Sequence, residues 1–122
     1  MNKVLLVGRL TKDPTTRTAQ SGKEVARFQI AVSRAKKGEA DFIPCVAFDV
    51  VANFIEKYFK QGSWIAVEGR WQSGSYEDSD GKKHYTNDCV VERAGFAGAK
   101  PKEEKTEQEQ YAEPVEDDGL PF

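Results

Sequence analysis

The rhythm of apolar and polar positions changes several times along the chain. Residues 24–34 alternate strictly: Ala26, Phe28, Ile30 and Val32 face one way, Arg27, Gln29 and Ser33 the other. That is the pattern of a strand with one face in a core. Residues 2–10, Asn-Lys-Val-Leu-Leu-Val-Gly-Arg-Leu, are largely apolar on both faces. They predict a strand that is central in a sheet or bent between two sheets, with Gly8 permitting a bend or close packing. Residues 41–48 predict a third strand, with Phe42, Pro44, Val46 and Phe48 on one face and Ile43, Cys45 and Ala47 on the other. Pro44 lacks a ladder donor, which predicts an edge or a bulge there. Over 49–61 the spacing becomes helical, with Val51, Phe54, Ile55, Tyr58 and Phe59 on a common face. Asp49 is the expected N-cap, Lys57 and Lys60 suit the last turns, and Gly62 is the expected C′ stop.

From Gly62 to Val91, two runs rich in β-branched and aromatic residues flank an Asp80-Gly81 turn, the signature of a hairpin. In the first run Ile65, Val67, Gly69 and Trp71 share one face; Ala66, Glu68, Arg70, Gln72 and Tyr76 share the other. Residues 92–98 close the body, with Phe96 as an anchor. The polar stretches around Asp13-Pro14 and Ser21-Gly22 mark turns, and Ala35 to Ala40, with Lys36 and Lys37, reads as a basic hairpin loop. The order strand, strand, strand, helix, strand, strand is that of the OB-fold, a small five-stranded barrel. The predicted class is all-β with one helix, and such barrels repeatedly bind oligonucleotides or oligosaccharides across strands two and three.

Composition adds a division of the chain. Apolar residues make up 39% and charged residues 31% of it, which predicts a folded part diluted by a disordered one. The net charge of −2 hides an asymmetry: from Lys100 onward there are three basic and eight acidic residues, leaving 15 basic and 12 acidic in residues 1–99. A mildly basic body with an acidic tail fits a nucleic-acid protein. No run reaches membrane-spanning length and no signal-peptide core is present, so a cytoplasmic protein without membrane contact is expected. Cys45 and Cys89 have no metal-ligand spacing and read as buried reduced thiols; no metal and no cofactor is expected.

The candidate chemistry is that of binding. Arg70 beside Tyr76 offers charge for phosphates and a π-face for bases, although an ordinary solvated hairpin would look the same. Phe42 and Phe48 share the strand face that needs burial or a stacking partner. Catalysis finds little support. Glu77, Asp78 and Asp80 sit on a hairpin turn without calcium-loop spacing, and there is no Ser-His-Asp arrangement and no phosphate-cradling glycine loop. His84 stands alone, solvated or satisfied by hydrogen bonds. An RNA-binding or protein-adaptor OB module is the alternative.

These stretches together resemble the bacterial and phage-type single-stranded DNA-binding protein family. The resemblance rests on Asn2-Lys3-Val4, Val7-Gly8-Arg9-Leu10, Asp13-Pro14, Gly22 with Val25-Ala26, and Ala40-Asp41-Phe42-Ile43. It continues through Val51-Ala52-Asn53-Phe54, Lys60-Gln61-Gly62-Ser63, Val67-Glu68-Gly69-Arg70, Tyr76 with Asp80-Gly81, and the terminal Asp117-Asp118-Gly119-Leu120-Pro121-Phe122. It implies an OB subunit of a homotetramer that binds single-stranded DNA without sequence preference in replication, recombination and repair, associated with the nucleoid. The stacking aromatics it implies are Phe42, Phe48 and Tyr76. The phosphate-binding residues it implies are Lys3, Arg9, Arg17, Arg34, Lys36, Lys37 and Arg70. The chain departs from the family pattern in four respects. The loop near Lys36 lacks an aromatic, Pro44 stands where a polar or basic residue is common, Gln72 and Gly74 replace frequent arginines, and Trp71 replaces an aliphatic residue. By alternation Trp71 belongs to a core or an interface; Trp64 packs in an interface or is an exposed ring.

The chain therefore divides into an OB-fold single-stranded DNA-binding domain (1–99), a disordered acidic linker (100–116) and a C-terminal peptide (117–122). In that peptide two acidic residues precede two apolar side chains and a terminal carboxylate. A solubilising tail and a docking peptide both fit the residues. The resemblance selects docking, with Asp117, Asp118, Gly119, Leu120, Pro121 and Phe122 engaging replication, recombination and repair proteins.

Overall fold

Strand β1 (Val4–Leu10) starts a sheet that closes on itself in the computed structural model, which describes residues 1–98. β2 spans Thr15–Thr18, β3 Glu24–Ser33 and β4 Ala40–Phe48; helix α1 spans Asp49–Tyr58; β5 spans Trp64–Glu77 and β6 Lys83–Phe96. β1 pairs with β5, β5 with β6, β6 with β4, β4 with β3, and β3 returns to β1. All pairings are antiparallel except β4 with β6. This five-strand ring with its helix between the third and fourth ring strands is the OB arrangement that the pattern predicts. The predicted linker (100–116) and terminal peptide (117–122) lie outside the described residues.

One strand more than expected is present. Thr15–Thr18 pairs with β3 from Glu24 to Arg27, while β1 reaches β3 at Ile30 and Ala31. Past the Asp13 turn the chain thus returns to the same edge of β3. Threonine suits a strand, but β2 has no buried residue, so hydrophobic alternation had nothing to report. The β1–β3 seam also explains Gly8: a Cβ there would lie 2.5 Å from the Ala31 carbonyl oxygen. β4 runs through Pro44 without a bulge. Pairing to β6 involves only Cys45 and Val46, so Pro44 falls on the free edge of β4, one of the two places expected for it.

The core contains Leu10, Ala26, Phe28, Ile30, Cys45, Ala47, Ile65, Val67, Cys89 and Val91, closed at one end by Ala52 and Ile55 of α1 and by Phe59. Phe59 stacks on Phe96 at 5.1 Å, with Phe54 and Tyr58 edge-on around them. The helical aromatics are packing residues, as their spacing predicts, and Phe96 is the anchor. Truncating Phe59 to alanine would cost about 3–5 kcal/mol of stability.

Both helix ends differ from expectation. Phe48 occupies the N-cap position, without a side-chain cap. Asp49 is the first helical residue, at φ +53°, and its Oδ1 accepts the Glu24 backbone N–H at 3.3 Å. β4 runs directly into α1, so the cap falls on an aromatic, and the aspartate ties the junction to β3 instead. The helix stops at Tyr58, three residues early, because Phe59 must leave the helix to enter the core. Gly62, at φ +87°, serves the turn Lys60–Ser63 rather than a helix cap, and its N–H donates to the Leu10 carbonyl at 2.8 Å.

Candidate nucleic-acid interface

Residues in register on neighbouring strands share a face, so the pairing defines rows across the outside of the barrel. One row runs Thr15, Arg27, Val46, Val90, Arg70 across β2, β3, β4, β6 and β5. Next to it lies Arg17, Val25, Phe48; on its other side come Gln29 with Pro44, then Ala31 with Phe42. Val25, Val46 and Val90 form a small buried floor. Phe42 and Phe48 stand on this wall at 60% and 39% exposure, so both project rings into solvent. Lys23 lies 5.9 Å from the Phe48 ring centre. A shallow groove of about 280 Å³ runs between the turn after β1 and this wall, lined by Thr11, Lys12, Asp13, Arg27, Gln29 and Pro44 among others.

Beyond Trp71 and Cys89, β5 and β6 continue as a two-stranded arm. Arg70, Gln72 and Tyr76 alternate onto the same outer face, and Tyr76 pairs with His84. Their rings stack, with centroids 5.0 Å apart and planes at 18°. His84 Nε2 lies 2.7 Å from Asp78 Oδ2. Asp78 Oδ1 accepts the backbone N–H groups of Asp80 and Lys82, each at 2.9 Å. These bonds, that of His84 foremost, hold the Asp78 carboxyl below its ordinary range. The acidic turn residues thus organise the hairpin.

Six of the seven expected phosphate-binding residues fall into three groups. Arg17 makes no ion pair among the described residues, and neither do the groove cations Lys12 and Arg27. Arg34, Lys36 and Lys37 cluster on the β3–β4 loop. There Arg34 binds Asp41 at 2.6 Å and approaches Glu39 at 3.7 Å, while Lys36 lies 3.8 Å from Glu39. The Arg34 hydrogen bond lowers the Asp41 pKa, and Asp41 raises that of Arg34. The third group is divided: Lys3 stands apart, on the β1–β5 wall, whereas Arg9 lies at the β1–β3 seam, in register with Ala31 and so in the row of Phe42. Lys3 Nζ is held by Glu92 at 3.0 Å and Glu68 at 3.1 Å, which raise its pKa. Arg9 donates to the Gly62 carbonyl at 3.2 Å and lies over the Trp64 ring at 5.3 Å. Arg70 sits at the boundary, 4.0 Å from Glu92 and bonded to Gln72.

Sequence reasoning missed Arg27 and His84 as members of this surface. Alternation had already turned Arg27 outward; the register of β3 on β4, beside Val46 between the two exposed rings, was the further signal needed. The Asp80-Gly81 turn would likewise have paired His84 with Tyr76. Trp71 registers with Cys89, on the opposite face from Arg70 as expected, but its ring stays 39% exposed and does not join the core. Cys45 and Cys89 are free, buried and in register across β4 and β6; the neighbouring thiol and burial push the Cys45 pKa up.

A closed OB barrel carrying exposed rings and arginines on one outer wall groups with the oligonucleotide-binding barrels. The chain belongs to the Single-strand binding protein family, whose model matches residues 1–97, a family of binding proteins rather than enzymes. It is 53% identical over 98 residues to the single-stranded DNA-binding protein of Clostridium perfringens, covering 79% of this chain and 65% of that protein. It is 44% identical over 105 residues to single-stranded DNA-binding protein 3 of Listeria innocua, covering 82% and 66%. With single-stranded DNA-binding protein 1 of Staphylococcus aureus the identity is 40% over 118 residues, covering 93% and 71%. The chain spans just under two thirds of the length of the first two. Among the described residues no helix is long and apolar enough to cross a membrane.

Proposed function

We propose that the chain binds single-stranded DNA without sequence preference across the wall formed by β2, β3, β4 and β6 and along the β5–β6 arm. The observation that carries this reading is the pair of exposed rings, Phe42 and Phe48, flanked in register by arginines that pair with no carboxylate among the described residues. Stacking on Phe42, Phe48 and Tyr76 contributes roughly 1–3 kcal/mol per base. Arg17, Arg27 and Lys12 meet phosphates along the groove, Arg70 at its far edge, and Arg34, Lys36 and Lys37 from the loop. Arg9 joins from the seam of β1 with β3, and Lys3 from the start of β1.

Family membership supports a wider role. Residues 1–99 protect single strands during replication, recombination and repair on the nucleoid of the cytoplasm, 100–116 act as a linker, and 117–122 recruit partner enzymes. The chain assembles as a homotetramer. Leu5, Val7 and Trp64, exposed at 70%, 48% and 43% on the β1–β5 wall, supply apolar surface for a subunit contact.

The test is anisotropy of labelled oligo(dT) at two salt concentrations. Labelled DNA suits it better than tryptophan quenching, because Trp71 faces away from Arg70 and the Trp64 ring is already covered by Arg9. Tight binding that weakens steeply with salt is expected. No binding at low salt, in anisotropy and in gel shift alike, overturns the reading; preference for RNA of equal length would move it to the alternative substrate.

A further inference from the structure

Among the described residues, the β5–β6 arm has no third strand to hold it. Pairing of β5 with β1 ends at Gly69 and that of β6 with β4 at Cys89. A bare two-stranded hairpin is weak in water, so a ring near its tip would be poorly positioned unless something local fixed it. The tip contains such a device: Asp78 binds His84, and His84 lies flat on Tyr76. One face of Tyr76 is therefore covered and the other is open, with the residue 56% exposed. A carboxylate only accepts hydrogen bonds, so the Nε2 proton points at Asp78. Nδ1 is the ring atom left over.

We propose that His84 is a proton-dependent positioning residue of the DNA interface: it holds Tyr76 for a base and, when protonated, offers its Nδ1–H to a phosphate. This rests on the DNA-binding reading above. The groups facing the imidazole are few. Asp78 and Tyr76 touch it; Gln72 with Asp88, then Arg70, follow along the same face; Asp80 and Lys82 lie in the turn, and the Glu77–Lys83 pair points to the other face. With the imidazole neutral, it and Asp78 together carry one negative charge; with the imidazole protonated, the pair is neutral and has gained a donor. DNA affinity is therefore higher for the protonated form, and binding is accompanied by uptake of a proton. His84 is the only histidine in the chain, and histidine is the side chain whose ordinary charge change falls between about pH 5 and 8.

The experiment measures oligo(dT) affinity from about pH 6 to about pH 8 at fixed ionic strength, with the full chain and the variants His84→Phe, His84→Gln and Asp78→Asn. The full chain is expected to bind roughly two- to fivefold more tightly at the acid end, the size of an exposed charge contact. Its salt slope should be steeper there by about 0.7, one phosphate on a single strand. His84→Phe keeps a ring against Tyr76 and should bind with a flat pH profile. His84→Gln should be flat and weaker throughout. Asp78→Asn, which loses the carboxylate that orients the imidazole, should weaken binding as His84→Gln does. A purely structural histidine would weaken the variants while leaving their pH profiles parallel to the parent, and that result overturns the proposal, as does a flat profile in the parent. Absence of binding at every pH would instead overturn the DNA-binding reading itself.

Discussion

Both walls of the barrel carry arginines and lysines, and they treat them in opposite ways. On the wall of β2, β3 and β4, Lys12, Arg17 and Arg27 have no carboxylate within ion-pairing distance among the described residues, and two phenylalanine rings stand between them in solvent. On the β1–β5 wall, Lys3 is shared by Glu68 and Glu92 and Arg93 approaches Glu68 at 3.9 Å; Arg9, over Trp64 and in register with Ala31, marks the seam between the two walls. There the exposed apolar residues away from that seam are aliphatic, Leu5 and Val7, flanking a buried Ala66, while the exposed Trp64 lies under Arg9. Formal charge alone does not separate these surfaces. Neutralisation does: an unpaired cation beside a ring suits a polyanion with stackable bases, whereas paired charges around aliphatic side chains suit another protein surface. In the proposed function the first wall takes DNA and the second a neighbouring subunit.

The largest expected effect separates the walls outright. Replacing Leu5 and Val7 together by serine should shift the chain to a smaller species in light scattering, while the isolated subunit keeps its fold because neither side chain is buried. If the mass is unchanged, the second wall is not the subunit contact. Next come the rings. Phe42→Ala and Phe48→Ala should each weaken oligo(dT) binding by roughly 1–3 kcal/mol, with thermal stability unaffected for Phe42 because β4 keeps its register there. Equal binding by both variants would remove stacking from this wall. A smaller effect tests the cations. Arg27→Ala should flatten the salt dependence by about 0.7, one phosphate on a single strand. Lys3→Ala, whose charge is already spent on two carboxylates, should change the slope far less. Equal slopes for the two would erase the distinction drawn between the walls.

This contrast explains what the sequence could and could not disclose. Alternation exposes faces, so strands β1, β3, β4 and the β5–β6 hairpin, the barrel class and the outward Phe42, Phe48 and Tyr76 were legible from periodicity and family resemblance. Neutralisation depends on contacts between residues far apart in the chain. Lys3 meets Glu68 and Glu92 across 65 and 89 positions, and nothing local to residue 3 announces either. For the same reason Arg27 looked like an ordinary solvent-facing residue until the β3–β4 register set it beside Val46. β2 escaped because a strand without a buried face leaves no hydrophobic rhythm. The helix ends were misplaced by tertiary demands, the burial of Phe59 and the direct run of β4 into α1, which outweigh local capping preference.

The smallest expected effect moves one residue from one class to the other. Arg34 lies on the β3–β4 loop beside Lys36 and Lys37, but Asp41 holds it at 2.6 Å. Asp41→Asn removes the charge while keeping an acceptor, leaving Arg34 freer to meet a phosphate. Oligo(dT) binding should then tighten by roughly two- to fivefold, as for an exposed ion pair exchanged for another, and the salt dependence should steepen. The same pair makes a prediction about acid. The Asp41 pKa is lowered by Arg34 from its ordinary value of 3.8, so the loop gains stability from the pair above that value and loses it as pH falls through the lowered one. Amide exchange over residues 34–41 should therefore quicken in that acid range in the parent and show no such step in Asp41→Asn. If Asp41→Asn leaves DNA affinity untouched although its acid step has gone, the loop cations lie off the DNA path, and the unneutralised arginines of β2 and β3 carry the electrostatic attraction without them.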